Sequence, residues 1–433
     1  MSRLLSAYAS ITNAGTPVLE WLLKRRLQKG KEDPVRLDER RGLASLPRPQ
    51  EAGLRLLWVH AASVGESQAA LILIESLKAY NIRILVTTGT VTSASLMERR
   101  LPDYAFHQYI PVDHPLWVER FLNHWKPDLA FWMESELWPN MLLALKKRGT
   151  PAVLLNARMS NTSFNRWRYA PKAARAILES FVQIQAQTEN DAARFRLFGH
   201  RNVSASGNIK FSAAPLPYDE IAFSAMQLAT EDRAIWVYAS THAGEEALAC
   251  RVHKKLREEF PSLLTVIVPR HPQRTEEIAA ACFENGVTYT LRSQNGALPA
   301  PDDDIYIADT LGELGLFYRL APIAMIGRSF SNDGGGGHNP IEAAQYHCAV
   351  LTGPHNQYQR PIYNDMQAAD AVKTVHTEGE LAEELGNLLR DPGRLRKAQE
   401  NAAYFAQQKK HVIDAVMEKL EPVLTPAKDS DAA

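Results

Sequence analysis

Two phrases decide how this chain folds: Trp58-Val59-His60-Ala61-Ala62-Ser63-Val64-Gly65-Glu66-Ser67 and Trp236-Val237-Tyr238-Ala239-Ser240-Thr241-His242-Ala243-Gly244-Glu245-Glu246. Each runs a short apolar stretch into a turn of small residues and then opens a helix-forming stretch with glutamate. Short apolar runs alternating with helix-length amphipathic stretches mark βαβ units and a parallel sheet. Outward from the first phrase, LRLLWVHA (54–61), IRILVTTGT (82–90), LAFWMES (129–135), PAVLLNAR (151–158) and FVQIQAQ (181–187) read as strands. Around the second, IWVYAST (235–241), LLTVIVPR (263–270), DIYIADT (304–310), IAMIGR (323–328) and AVLTGP (349–354) do the same. The sequence predicts an α/β chain of two Rossmann-like halves, with the boundary near 207–232. In open α/β sheets ligands bind at the C-terminal strand ends, so the expectation is one cleft between the halves. From about Thr377 the chain reads as helices, ending in a frayed 429–433.

Composition narrows the function classes. A length of 433 residues implies two or three domains at about 150 residues each. Lys+Arg and Asp+Glu number 49 each, so there is no overall basic field for nucleic acid, and no nucleic-acid partner is expected. Any anionic partner must be met locally. Cys250, Cys282 and Cys348 form no CxxC pair and no histidine stands at metal-ligand spacing, so neither a disulfide framework nor a bound metal is expected. The apolar stretch from Leu4 to Leu23 is interrupted by Gly15, Pro17 and Glu20, too broken for a spanning helix, and the following Lys24-Arg25-Arg26 does not fit a signal peptide. Leu4, Tyr8, Ile11, Leu19, Trp21, Leu22 and Leu23 read either as an amphipathic segment lying on an anionic bilayer or as a helix docked on its own domain.

The strongest local signal is Gly334-Gly335-Gly336-Gly337-His338-Asn339-Pro340-Ile341-Glu342, directly after an apolar strand. Glycines let backbone approach a ligand, Asn339 can cap a helix begun by Pro340, and free N–H groups at a helix start attract phosphate. Glu342 reads as a ribose acceptor or as a capping partner of Asn339. No Walker lysine follows, which disfavours a P-loop NTPase. Arg270, closing its strand in Pro269-Arg270-His271-Pro272, offers a permanent planar charge for the same phosphate, and Ser240 and Thr241 offer hydroxyls. In the first half, Glu66 is a candidate general base, although Ser63-Val64-Gly65-Glu66 also spells a capping box. Glu134 and Glu136 follow another strand with period-two spacing that predicts one shared side, suited to acid–base work or to binding a polyhydroxylated substrate; a cap and a salt bridge is the other reading.

Together these phrases resemble the Kdo transferases, which attach 3-deoxy-D-manno-octulosonic acid to the lipid A precursor. The resemblance spans nearly the whole chain: Asp33-Pro34, Glu39-Arg40-Arg41-Gly42, His60 to Glu66, Pro111-Val112-Asp113, Glu134 to Pro139, Asn156-Ala157-Arg158-Met159-Ser160, Gly207-Asn208-Ile209-Lys210-Phe211, Ser240 to Glu246, Pro269 to Pro272 and the glycine-rich phrase. It implies a GT-B glycosyltransferase, with an N-terminal acceptor domain, a C-terminal domain for the donor CMP-Kdo, and an inverting transfer that needs no metal or cofactor. In that picture Glu66 deprotonates the acceptor hydroxyl, and Glu136 stands near the donor or acceptor sugar. Ser240, Thr241, Arg270, Gly336, Gly337, His338, Asn339 and Glu342 hold CMP-Kdo, while Ser63, Gly65, Arg40 and Arg41 meet the lipid A precursor.

The implied layout is a membrane-surface segment and lead-in over 1–45, an acceptor domain over 46–215, a donor domain over 216–400 and a C-terminal helix with a frayed tail over 401–433. The implied location is peripheral, on the cytoplasmic face of the bacterial inner membrane. Two departures from the family stand out: the start is less apolar than a membrane anchor, and Tyr358-Gln359 occupies positions where an Asn-Phe pair is usual. A nucleotide-sugar epimerase or another GT-B transferase is the alternative on the same fold, and a non-catalytic nucleotide-sugar binder is the plainest one.

Overall fold

Strand β1 (Arg55–His60) is the first of a seven-stranded parallel sheet with β2 (Ile82–Thr88), β3 (Ala105–Tyr109), β4 (Leu129–Met133), β5 (Ala152–Ala157), β6 (Gln183–Ala186) and β7 (Val203–Ala205), in the order β3-β2-β1-β4-β5-β6-β7. The second sheet takes β8 (Ile235–Thr241), β9 (Leu264–Pro269), β10 (Tyr289–Leu291), β11 (Ile305–Ile307), β12 (Ile323–Ile326), β13 (Ala349–Thr352) and β14 (Lys373–Thr374), in the order β10-β11-β9-β8-β12-β13-β14. This computed structural model describes residues 3–49, 53–331 and 333–425, so the 429–433 end lies outside the described residues. Both sheets are the doubly wound parallel sheets that the two quoted phrases predict.

Burial on both faces explains why the inner strands are legible. Trp58 and Trp132 meet edge to face at 5.1 Å between ring centroids in one core layer, while Leu57, Val59 and Phe131 enter the layer on the other face. Such strands read as unbroken apolar runs. The four strands with no signal in the sequence, β3, β7, β10 and β14, are the four outer strands of the two sheets. An outer strand has one neighbour and one solvated side, and Phe106-His107-Gln108 or Lys373-Thr374 accordingly mix polar residues into runs of two to five residues.

The chain divides into two units, 1–213 with 410–433, and 214–409. The expected 46–215 and 216–400 division differs at the ends, because residues 401–433 do not stand apart. Helix Pro392–Lys410 lies almost wholly in the second unit, and helix Val412–Leu424 belongs to the first. There Val416, Leu420 and Leu424 join the core, and Gly207, at φ 93°, makes room for Val412, which a Cβ would meet at 2.8 Å.

The N-terminal segment is docked on the first unit by part of its surface. In helix Arg3–Ala14 Leu5 is buried, and Tyr8 donates a hydrogen bond to Asp113 at 3.1 Å; in helix Thr16–Gln28 Leu23 is buried. Leu4, Ile11, Val18 and Trp21 nevertheless stay 56, 70, 59 and 56% exposed. No helix among the described residues is long and apolar enough to cross a membrane.

Candidate active site

In both sheets the strand order reverses beside the first strand, between β1 and β4 and between β8 and β12, and such a switch point is where open α/β sheets bind ligands. At the first one, β1 runs into helix Val64–Ser76, whose first turn carries Glu66. The Ser63 hydroxyl accepts from the Glu66 N–H at 3.3 Å and donates to Glu66 Oε1 at 2.9 Å, while the Ala62 N–H donates to Oε2 at 2.8 Å. The capping reading of Ser63-x-x-Glu66 is therefore realised, and it coexists with an unusual titration. Burial pushes the Glu66 carboxyl up to about 7, and the nearby Glu134 and Glu136 charges add to it against the hydrogen bonds from Ala62 and Ser63.

The path by which those two carboxylates arrive is not the expected one. β4 stops at Met133, and Glu134 turns out of it at φ 57°, so the period-two argument for a shared side does not apply beyond the strand. Glu134 donates its N–H to Leu155 O at 2.9 Å, and its carboxylate accepts from Lys210 Nζ at 2.6 Å. Glu136 accepts from Trp138 Nε1 at 2.8 Å, and its carbonyl accepts from Trp132 Nε1. Lys210, not singled out as a site residue from the sequence, also reaches Gly65: a Cβ there would lie 3.2 Å from its Nζ. Its placement comes from Asn208, whose side chain accepts from the Lys210 N–H at 3.1 Å and starts the short turn Ile209–Ser212. The visible signal was the compact phrase Gly207-Asn208-Ile209-Lys210-Phe211.

Arg40 and Arg41, implied as acceptor-binding residues, are committed internally. Arg40 is buried, lies 3.3 Å from the Glu32 carboxylate and donates to Ile110 O. Arg41 grips Glu20 through two hydrogen bonds of 2.8 and 2.7 Å and Asp38 through a third of 2.7 Å. Both tie the N-terminal helices and lead-in to the first unit instead of offering a free charge. Ser63 is exposed beside Gly65.

At the second switch point Ser240 sits at φ 58° where the pairing of β8 with β9 shifts register, and Gly327 allows close approach, since a Cβ there would lie 2.4 Å from Ser240 O. Thr241, expected to offer a hydroxyl to the donor, is buried and donates it to Glu246 at 2.8 Å; Arg274 holds the same carboxylate at 2.8 and 3.2 Å. Glu245 is buried as well and accepts from four backbone N–H groups, those of His242, Arg328, Ser329 and Phe330, at 2.8 to 2.9 Å. It staples the turn after β8 to the turn after β12.

The glycine-rich loop shows why four glycines stand in a row: Gly334 to Gly337 all have positive φ, at 98°, 55°, 123° and 68°. Four successive N–H groups of the loop are taken by protein partners. Gly335 donates to Asp333, Gly336 to His355 O, Gly337 to Arg328 O and His338 to Gly327 O. The helix that follows, Ile341–Gln345, has five residues, too few for a substantial macrodipole. Asn339 caps it, accepting from the Ile341 N–H at 3.1 Å and donating to Glu342 Oε1 at 3.1 Å. Burial raises the Glu342 carboxyl above its ordinary range, against Asn339 and the Arg270 charge. Arg270 is exposed and has no ion pair among the described residues, and its charge is felt by both His338 and Glu342. Among the described residues no group of His, Cys, Asp or Glu is arranged to hold a metal ion.

Two Rossmann-like units in one chain, each with charged side chains at the point where its strand order reverses, are the GT-B architecture. Likenesses to solved structures agree on that fold and show the fold alone: the UDP-GlcNAc 2-epimerase of Neisseria meningitidis (15% identity, TM-score 0.54, 84% of this chain and 100% of that one) and a putative UDP-N-acetylglucosamine 2-epimerase of Listeria monocytogenes (12% identity, TM-score 0.55, 86% and 97%). The sequence profile described as 3-deoxy-D-manno-octulosonic-acid transferase (kdotransferase) matches residues 35–213. The 3-deoxy-D-manno-octulosonic acid transferase of Rickettsia bellii is 33% identical over 93% of this chain and 95% of its own; that of Haemophilus influenzae is 32% identical over 90% and 91%. A probable mitochondrial counterpart in Arabidopsis thaliana is 37% identical over 89% and 88%. The chain belongs to the 3-deoxy-D-manno-octulosonic acid (Kdo) transferase family of glycosyltransferases.

Proposed function

We propose that this enzyme moves Kdo from CMP-Kdo to a sugar hydroxyl of the lipid A precursor, with inversion and without a metal, in lipopolysaccharide biosynthesis. The observation that carries the chemistry is Glu66, a buried carboxyl at a strand end whose surroundings push it up to about 7. A base tuned near the working pH is ionised often enough to act and basic enough to take a proton. Glu66 removes the acceptor proton, the hydroxyl oxygen attacks the anomeric carbon from the face opposite the nucleotide, and CMP departs with the electron pair of the broken bond. Glu136 orients sugar hydroxyls near Glu66. In the second unit Arg270 and Ser240 meet the nucleotide phosphate, and Glu342, with Oε1 on Asn339, keeps its other oxygen for the ribose.

Leu4, Ile11, Val18 and Trp21 on one run of helices, with Lys24 and Arg25 exposed beside them, support peripheral attachment at the cytoplasmic face of the inner membrane. The decisive experiment is mass spectrometry of the deacylated product after incubating the protein with freshly generated CMP-Kdo and tetraacylated lipid A precursor, beside Glu66→Gln. The expected result is a gain of one or more Kdo units with the unaltered protein only. No gain, with the donor merely hydrolysed, assigns the fold to a different donor or acceptor.

A further inference from the structure

Three residues of the second unit that the reaction above leaves unused form a chain. Asp333, in the glycine-rich loop, lies with Oδ2 3.0 Å from His242 Nδ1, and His242 Nε2 lies 3.1 Å from His338 Nε2. The two imidazoles stand 5.2 Å apart between centroids and are inclined by 34°. Two ring nitrogens at hydrogen-bond distance require one proton between them, and the carboxylate decides whose it is. Asp333 is acceptor-only, so His242 carries its proton on Nδ1; in neutral His242 the Nε2 is then the acceptor, and His338 donates from its own Nε2. This leaves His338 Nδ1 as an acceptor with no hydrogen-bond partner among the described residues. A proton arriving at that nitrogen reverses the shared bond: His338 passes its Nε2 proton to His242, whose imidazolium is held by Asp333.

The surroundings make this uptake depend on an anion. Facing the pair are Arg270 and His271 from the end of β9, Arg328 from the end of β12 and Asp333 from the loop. Burial lowers both histidines, His338 to about 4; Arg328 lowers both further, Arg270 lowers His338 and His271 lowers His242, while the Asp333 charge acts in the opposite direction on each. Asp333 is held at about 2 by the Ser331 hydroxyl and His242, so it remains a carboxylate. In the free protein the pair is neutral at pH 7; a phosphate that compensates Arg270 and Arg328 removes part of that penalty.

We propose that Asp333, His242 and His338 form a proton relay that takes up one proton as the donor phosphodiester binds and returns it to the nucleotide phosphate as that group leaves. The inference rests on the donor reading above. In the step, the bond between anomeric carbon and phosphate oxygen breaks with its electron pair on oxygen. That oxygen takes the proton from His338 Nδ1, the shared proton shifts back to His338 Nε2, and His242 keeps Nδ1–H on Asp333. The proton of the acceptor hydroxyl goes separately to Glu66, so the products are the glycoside, CMP carrying one more proton, and protonated Glu66.

Cytidine 5′-methylphosphate is the probe, because its diester has no proton to exchange near neutrality. Binding is measured by calorimetry at pH 7 in buffers of different ionisation enthalpy, with the full chain and with His242→Gln, His338→Gln and Asp333→Asn. The expected result is uptake of about half a proton or more per ligand by the unaltered protein, falling to near zero in the histidine variants and at least halved in Asp333→Asn, with affinity changed less than about tenfold. Asp333 is largely exposed, so Asp333→Asn is read on a folded protein, as a thermal melt verifies. Asp333→Asn also lowers kcat on the alkaline side of the pH profile while KM stays within about twofold. Binding without proton uptake, or uptake unchanged in the variants, overturns the relay and leaves the donor reading standing. Failure of the unaltered protein to bind the probe and CMP alike overturns the donor reading, and the relay with it.

Discussion

The phrases at 58–67 and 236–246 each carry a glutamate into the first turn of a helix after a first strand, and the molecule uses the two differently. Glu66 follows Ser63 by three residues and Glu245 follows His242 by three. Glu245 has four backbone donors drawn from two turns, so its charge is consumed in fixing the loop after β12. Glu66 has only a backbone donor and a hydroxyl; burial raises it to about 7 with Glu134 and Glu136 adding to the rise, whereas burial raises Glu245 against four backbone donors. A capping box in a sequence therefore does not separate structure from chemistry; the number of donors and the sign of the neighbouring charge do. The extra residue in the second phrase, taken up by Ser240 at positive φ and a register shift, brings His242 to the strand edge where the first phrase has Ser63.

The sharpest way to break this comparison is to remove each charge in turn. Glu66→Gln should lower kcat by about 10²–10⁴-fold while CMP affinity stays within twofold, and normal turnover would sink the base assignment. The same variant should be more stable than the unaltered protein at pH 8. The folded pKa of Glu66 is raised, so the native state holds its proton to higher pH than the unfolded chain, and stability is lost as pH rises from about 4.5 to about 7; replacing the group recovers on the order of 1–3 kcal/mol there. Glu245→Gln should cost about 2 kcal/mol or more even though burial raises the Glu245 carboxyl too, because an amide NH₂ then faces four backbone N–H donors. A melting temperature unchanged in Glu245→Gln would mean that the staple holds nothing. Arg270→Ala should raise donor KM about tenfold with a smaller loss of kcat; unchanged values would take Arg270 out of the phosphate site.

Much of this was legible because buried parallel strands and tight turns leave local marks. Most of the ten inner strands are apolar runs, β6 with its Gln-Ile-Gln-Ala being an exception, and Gly334 to Gly337 announce a loop that only positive φ can close. The four outer strands left no such mark, since they are short and mix polar residues into the run. The site was legible where one short phrase contains the whole device, as in Ser63 to Glu66 or Asn339 to Glu342. It was not legible where the outcome depends on a distant partner. The Thr241 hydroxyl is turned to Glu246, Arg40 to Glu32 and Ile110, and three of the loop N–H groups to His355, Arg328 and Gly327. Lys210, 76 residues from Glu134 in sequence, could be placed beside it only by the fold.

Lys210 gives the smallest effect and the finest test of how the first strand edge is tuned. Its ammonium lies 2.6 Å from Glu134 and so offsets part of the negative charge that raises Glu66. Lys210→Met should leave Glu134 uncompensated and push Glu66 higher still. A base acts in its ionised form, so the acidic limb of kcat/KM should move to higher pH, by about half a pH unit for partly exposed charges a few ångströms apart. The rate on the plateau above it should change little. Lys210→Arg, which keeps the charge, should restore the limb. A plateau that collapses with the limb unmoved would mean that Lys210 meets the substrate itself, and the tuning of Glu66 would then belong to burial and to Glu134 and Glu136 without a counter-charge.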